Sequence, residues 1–253
     1  MSHSKLLNTL ILAALAVPSV ALAEEASPFT ANVGLTTDYI FRGISQTSGN
    51  PAIQGGVDYA HASGLYAGVW GSNVSWITDF GATGSASMEL DTYAGFRSSF
   101  AEDFSYDIGF IRYNYLGSYT PAPTTVKADT DEIYGAIGYK WLTAKYSYGL
   151  GKFLTVADAK GTNYLEVNAS VPVAETGITL GAHYGKQTYK GASAAAATYS
   201  DYKLSAAKDF GGYMVTLAYS DTNSAKGGFY TTPAPASKDL ARGTVALSVS
   251  RAF

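Results

Sequence analysis

Thr244-Val245-Ala246-Leu247-Ser248-Val249-Ser250-Arg251-Ala252-Phe253 closes the chain and decides the fold. Val245, Leu247, Val249 and Phe253 fall on one face; Thr244, Ala246, Ser248 and Ser250 fall on the other. Side chains of a strand point alternately to its two sides, so this is an amphipathic strand with an apolar face. Its terminal aromatic is the expected ending of an outer-membrane β-barrel of Gram-negative type, and the rest of the chain can be read against that expectation.

The same period recurs upstream. In Ser87–Ser98, Met88, Leu90, Thr92, Ala94 and Phe96 oppose Glu89, Asp91, Tyr93, Gly95 and Arg97. Only the first face is compatible with lipid, because a charge at the membrane midplane costs about 2–4 kcal/mol. Near the N-terminus Val33, Leu35, Tyr39 and Phe41 oppose Asn32, Gly34, Asp38 and Arg42, and Leu165, Val167, Ala169 and Val171 oppose Glu166, Asn168 and Ser170. Twelve such segments are expected, each of about 9–13 residues, long enough to cross a bilayer at a tilt. The third, Leu65–Val74, is ambiguous, since Leu65, Ala67 and Val69 compete with Tyr66, Trp70 and Val74 for the apolar face.

The connections carry more weight than any one strand. Short ones fall at His61–Gly64, Ala101–Asp103, Leu142-Thr143, Ala174–Thr176 and Phe210–Gly212; long ones fall at Gly43–Asn50, Ser75–Ala86, Gly117–Thr130, Leu154–Gly161, Thr188–Tyr199 and Thr222–Ala241. Strict alternation of short turns and long loops is the pattern of an outer-membrane barrel. The expected fold is therefore all-β: a transmembrane antiparallel up-and-down β-barrel of about 12 strands. A secreted soluble β domain is the competing reading, and it has no reason to alternate its loops.

Composition agrees. There are 20 Tyr and 27 Gly. Tyr suits membrane–water interfaces, and Gly suits tight turns and a crowded lumen. With 17 basic against 20 acidic residues, the chain gives no basic surface for nucleic acid. The absence of Cys excludes disulfides, thiolate metal sites and Cys nucleophiles. Lys5, the apolar stretch Leu6–Val17 and Ala21-Leu22-Ala23 read as a signal peptide, 1–23, followed by one barrel domain, 24–253.

The inward face is where function is sought. Asp38, Asp58, Glu89, Asp91, Asp107, Glu132 and Glu166 supply acids there; Arg42, Arg97, Lys140, Lys145, Lys203 and Arg242 supply bases, with His183 among them. A strongly selective pore shows one sign of charge at its constriction, so this mixture implies weak selectivity unless the fold segregates it. Arg42 is expected at the outer mouth beside Ser45-Gln46-Thr47. There it would either contact an anionic solute or bridge to a carboxylate such as Asp58. Three function classes remain: a water-filled channel for small hydrophilic solutes, a plugged structural or surface-recognition barrel, and a lipid-modifying enzyme. The last would rely on His183, which points away from lipid. Tyr39 with Phe41, Phe96 with Phe100, Phe104 with Tyr106, Trp141, Tyr184 with Tyr189, and Phe210 with Tyr213 are expected in the interfacial girdles. Tyr93, Tyr113 and Tyr134 point inward, where a sugar could stack. There is no P-loop, no clustered metal-ligand spacing and no expected cofactor.

The opening hairpins resemble the TorF-like family of outer-membrane porins. The resemblance lies in Gly34-Leu35-Thr36-Thr37-Asp38-Tyr39-Ile40-Phe41-Arg42-Gly43-Ile44-Ser45-Gln46-Thr47, in Pro51–Tyr59 and in Gly64–Val74, with weaker echoes in Glu89–Gly95 and Ser250–Phe253. It implies a porin-like function in the bacterial outer membrane, among its lipids, with small solutes as passengers and no transferable catalytic residue. With the barrel reading it also implies that Phe253 belongs to the assembly signal read by the barrel-insertion machinery.

Overall fold

A computed structural model describes residues 27–253. The expected signal peptide, 1–23, lies outside the described residues. Twelve strands form one closed antiparallel barrel: β1 (Phe29–Thr36), β2 (Ala52–Ala60), β3 (Leu65–Asn73), β4 (Met88–Phe100), β5 (Phe104–Leu116), β6 (Thr130–Tyr139), β7 (Leu142–Gly149), β8 (Asn163–Val173), β9 (Ile178–Thr188), β10 (Tyr199–Asp209), β11 (Met214–Thr222) and β12 (Thr244–Ala252). Each pairs with its neighbours in sequence. The seam joins β12 to β1, with Leu35 opposite Val249 and Val33 opposite Arg251. Closure removes the edge strands that would otherwise leave unpaired backbone in lipid.

Alternation fixes the faces. Leu35, Ile53, Ile108, Leu165, Leu204, Leu217 and Val245 are exposed on the outside, while Glu89, Asp91, Glu132, Tyr164 and Asp201 are buried inside. The ambiguous third strand is settled: Leu65, Ala67 and Val69 face out, Tyr66 and Trp70 face in. At the short-turn end an aromatic belt forms, with Phe100 5.4 Å from Phe104, Phe104 4.7 Å from Tyr139, and Phe29 5.1 Å from Tyr59. Toward the loop end the apolar outer surface is interrupted by Arg112, which pairs with Asp131 at 3.0 Å.

The turns match the expected alternation, with one shift. The turn between β6 and β7 is Lys140-Trp141, because Tyr139 pairs with Leu142. Lys140 takes a left-handed φ of 53°. It is therefore no lumen residue: half-exposed at the turn, its ammonium lies 3.4 Å from Asp103, whose charge raises its pKa.

A larger departure lies between β1 and β2. The sequence reads as one strand continuing through Phe41, but β1 stops at Thr36, and Ile40-Phe41 and Ile44-Ser45 form a separate two-stranded hairpin. Its two-residue turn is Arg42-Gly43, with φ of 47° and 77°. Two consecutive positive φ values are what a tight hairpin of matching twist requires. Tyr39 and Phe41 consequently lie inside with the hairpin, not in an interfacial girdle: Tyr39 is buried 5.5 Å from Trp70, and Phe41 is 5.6 Å from Tyr113. Tyr189 also leaves its expected place and is buried under the loops against Phe153.

Candidate pore constriction

The hairpin crosses the barrel interior and is pinned on several walls. Its base is tied by Asp38, whose Oδ1 accepts from Ser45 Oγ at 2.6 Å and Thr47 Oγ1 at 2.9 Å. Burial pushes the Asp38 carboxyl above its usual range, opposed by these hydrogen bonds and by the charge of Arg242. At the tip, a Cβ on Gly43 would lie 2.6 Å from Asp201 Cβ and 2.7 Å from Thr222 Cγ2, so the turn touches the β10–β11 wall.

Arg42 makes the strongest attachment. Its Nη1 and Nη2 donate to both Glu132 oxygens, at 3.0 and 2.8 Å, and Nη1 also donates to Gln187 Oε1 at 3.0 Å. The guanidinium lies 4.3 Å over Tyr164 and 4.9 Å over Phe41. Tyr199 donates to the Arg42 carbonyl oxygen at 2.8 Å. The planar fork of an arginine suits this arrangement, two parallel bonds to a carboxylate between aromatic faces. Arg42 is therefore inside the barrel on Glu132 of β6, not at the outer mouth and not on Asp58, which instead accepts from Tyr93 at 2.6 Å. The strand-continuation reading misplaced it because the chain turns inward before reaching it.

The other inward charges fall into groups. Glu89 and Asp91 are buried on β4, and Tyr39 donates to Glu89 at 3.1 Å. Tyr113 donates to Glu132 at 3.2 Å. Nearer the turn end, Tyr66 donates to Asp107 at 2.6 Å and also meets Tyr134. Arg97 and Lys145 sit 4.8 and 4.2 Å over those two rings. Tyr93, Tyr113 and Tyr134 thus point inward as expected, with their hydroxyls bound to carboxylates or to Tyr66. A third group joins β8, β9 and β10: Asp201 accepts from Tyr164 at 2.9 Å and lies 2.9 Å from His183 Nε2, while His183 Nδ1 is 2.7 Å from Asn168. Glu166 holds Asn168 at 2.9 Å. His183 is engaged by Asp201, Tyr164 and Asn168, and its side chain faces the interior. Asp201, Gln187 and Tyr164 escaped the sequence reading. Asp201 continues the inward series of Lys203 and Ser205 by one more step of two.

These groups line β2 to β10. The remaining wall is different: Thr216, Ala218 and Ser220 of β11, Ala246, Ser248 and Ser250 of β12, and Asn32 and Gly34 of β1 face inward. They are small or polar and uncharged. Lys203 borders this wall, opposite Ser220. Over its loop end lies a cavity of about 400 Å³ lined by Asp38, Ser45, Ser48, Gly49, Ser237, Lys238, Asp239, Leu240, Arg242 and Thr244. Arg242, expected on the lumen wall, lies in the loop just before β12 with its guanidinium toward Gly49.

A family described as "Bacterial protein of unknown function (Gcw_chp)" matches residues 22–253. The chain belongs to the Gcw_chp family. That description carries no activity and does not name the TorF-like group. No curated protein matches this Gcw_chp chain. Among solved structures, the KdgM porin in complex with disordered oligogalacturonate is 9% identical, covering 89% of this chain and 97% of its own, with a TM-score of 0.49. OprD from Pseudomonas aeruginosa is 13% identical over 91% of this chain and 66% of its own, TM-score 0.38. OccAB3 from Acinetobacter baumannii is 10% identical over 91% and 66%, TM-score 0.40.

Proposed function

We propose that the protein is a narrow outer-membrane channel through which small hydrophilic solutes diffuse passively, constricted by the inward hairpin. The apolar outer face and the closed barrel support a membrane location, and the TorF-like resemblance supports the bacterial outer membrane. The observation that carries the channel reading is the division of the lumen. The hairpin and the paired charges occupy the β2–β10 side, whereas β11, β12 and β1 turn uncharged side chains inward, small or polar ones apart from Met214 at the turn end. A barrel of twelve strands lies between the packed eight-stranded and the open sixteen-stranded sizes, so the side chains decide whether a lane remains. The channel reading places that lane beside β12 and β1, past the hairpin tip. Thirteen residues belong to this reading: the inward charges Asp58, Glu89, Asp91, Arg97, Asp107, Glu132, Lys145, Glu166, His183 and Lys203, with Asp38, Arg42 and Arg242 at the constriction and mouth.

The test is single-channel conductance of refolded protein in a planar bilayer. Discrete steps, smaller than those of an open sixteen-stranded porin, are the expected result. A second reading is favoured by the packing of Tyr39, Ile44, Trp76, Tyr115, Tyr230 and Leu240 into one cluster at the loop end. Folded, inserted barrels that stay silent would establish that plugged form and displace the channel.

A further inference from the structure

We infer that the outer mouth selects small anions, carboxylates or phosphates, and that Arg242 and Lys238 are the selecting residues. This rests on the channel reading and names its solute class.

Several inward charges on β2–β10 are already held by side chains of the barrel. Arg42 is bound by Glu132, Asp201 by Tyr164 and His183, and Asp58 and Asp107 by tyrosine hydroxyls. The β11–β12–β1 wall itself turns no charged side chain inward. The first charges a solute meets line the mouth cavity of about 400 Å³: Asp38, Lys238, Asp239 and Arg242.

Those four are not equivalent. Asp38 spends an oxygen on Ser45 and Thr47, and Asp239 Oδ1 accepts from the Ala241 amide at 3.0 Å. Among the described residues neither the Arg242 guanidinium nor the Lys238 ammonium has a carboxylate within 4.0 Å, and neither side chain donates a hydrogen bond. Two cations whose side-chain donors are free therefore share the cavity with two carboxylates that each have one oxygen already accepting hydrogen bonds. The guanidinium lies close to Gly49, where a Cβ would approach its Nη2 to 3.7 Å, so it is directed toward the hairpin side of the mouth. A guanidinium presents a planar fork to carboxylate or phosphate oxygens, and an ammonium adds a point charge. Deeper along the lane, Lys203 borders the small-residue wall, also without a carboxylate within 4.0 Å. Cationic donors that no side chain occupies are thus gathered at the mouth and beside the small-residue wall, where a solute can reach them. Arg and Lys side chains with free donors at a constriction favour anions over cations.

The experiment is a reversal-potential measurement in a KCl gradient across a planar bilayer. It compares wild type with Arg242→Glu and with the Arg242→Ala/Lys238→Ala double variant, each first checked for heat-modifiable barrel migration. Wild type should reverse on the chloride side. The double variant should lose most of that preference, and Arg242→Glu should shift the chloride-to-potassium permeability ratio severalfold toward potassium. Inorganic phosphate and succinate, added separately to the loop side, should each interrupt wild-type currents and leave the double variant's currents uninterrupted. Interruption by only one of them would assign the site to that anion. A wild-type reversal at zero or on the potassium side, or a ratio unmoved by Arg242→Glu in a conducting barrel, would overturn the inference and leave the channel intact. Folded barrels with no conductance at all would instead remove the channel reading, and this inference with it.

Discussion

Arg42 shows how far a single residue can be read from sequence. Its charge marked it as functional, and a bridge to a carboxylate was foreseeable; which carboxylate was not. Glu132 lies 90 positions away and is brought to it only by the inward turn of the hairpin. Removing one partner of a buried ion pair costs about 3–5 kcal/mol, because the other charge is left unpaired. Arg42→Ala should spend that loss on the seating of the hairpin, since β1 and β2 remain paired without it. Its conductance should rise, with added current noise, while the barrel keeps its folded migration. Arg42→Lys should fall between, keeping the charge and losing the fork. A second residue makes the same point by shape. Gly43→Ala forces a Cβ to within 2.6 Å of Asp201 Cβ at a φ of 77°. The left-handed backbone alone costs about 1–2 kcal/mol, and the overlap adds to it. Gly49→Ala, at a φ of 80° but with only a flexible arginine tip nearby, is the control for backbone strain without overlap. Noise in Gly43→Ala no greater than in Gly49→Ala would show that the tip does not press on the β10–β11 wall.

At the scale of elements, the barrel strands were legible and the hairpin was not, for one reason. Period-two alternation says which face a residue takes but not which sheet the strand joins. Tyr39 and Phe41 alternate as a lipid-facing pair would, and Asp38 and Arg42 as a lumen pair would, so the pattern passes unbroken from β1 into the hairpin. The local signals were Arg42-Gly43 as a two-residue turn and Asp38 with Ser45 and Thr47 to tie its base. They are short and compete with twelve stronger strand patterns. The strand reading has its own test in β12. Leu247 is exposed outside and Ser248 faces in. Leu247→Arg should cost about 2–4 kcal/mol of barrel stability, measured by urea unfolding from lipid vesicles, because it places a charge in the hydrocarbon. Ser248→Arg, one residue on, should be tolerated in stability and should instead reduce conductance by narrowing the lane. Equal costs at the two positions would mean that the assigned faces are wrong.

At the scale of the molecule, the barrel is only as complete as its seam, and the seam ends at Phe253. Its amide donates to Ala31 at 2.8 Å and its carbonyl accepts from Ala31 at 3.1 Å, so the last residue is part of the closing ladder between β12 and β1. Its ring is among the most exposed of the large apolar side chains, at 69%, and lies 5.4 Å from the Arg251 guanidinium. Backbone and ring therefore carry separable roles, one in closure and one in the assembly recognition that we propose on the TorF-like resemblance. Phe253→Ala keeps both backbone bonds and removes only the ring. If the ring is read by the insertion machinery, this variant should insert severalfold less in cells yet refold into detergent as wild type does. Deleting Phe253 removes the two hydrogen bonds as well, each worth about 0.5–1.5 kcal/mol, and should lower stability in both settings. The comparison that decides is purified refolding against insertion in cells. A Phe253→Ala barrel that inserts at the wild-type level would confine the residue to the seam, where the alternation of Val245, Leu247 and Val249 already does most of the positioning.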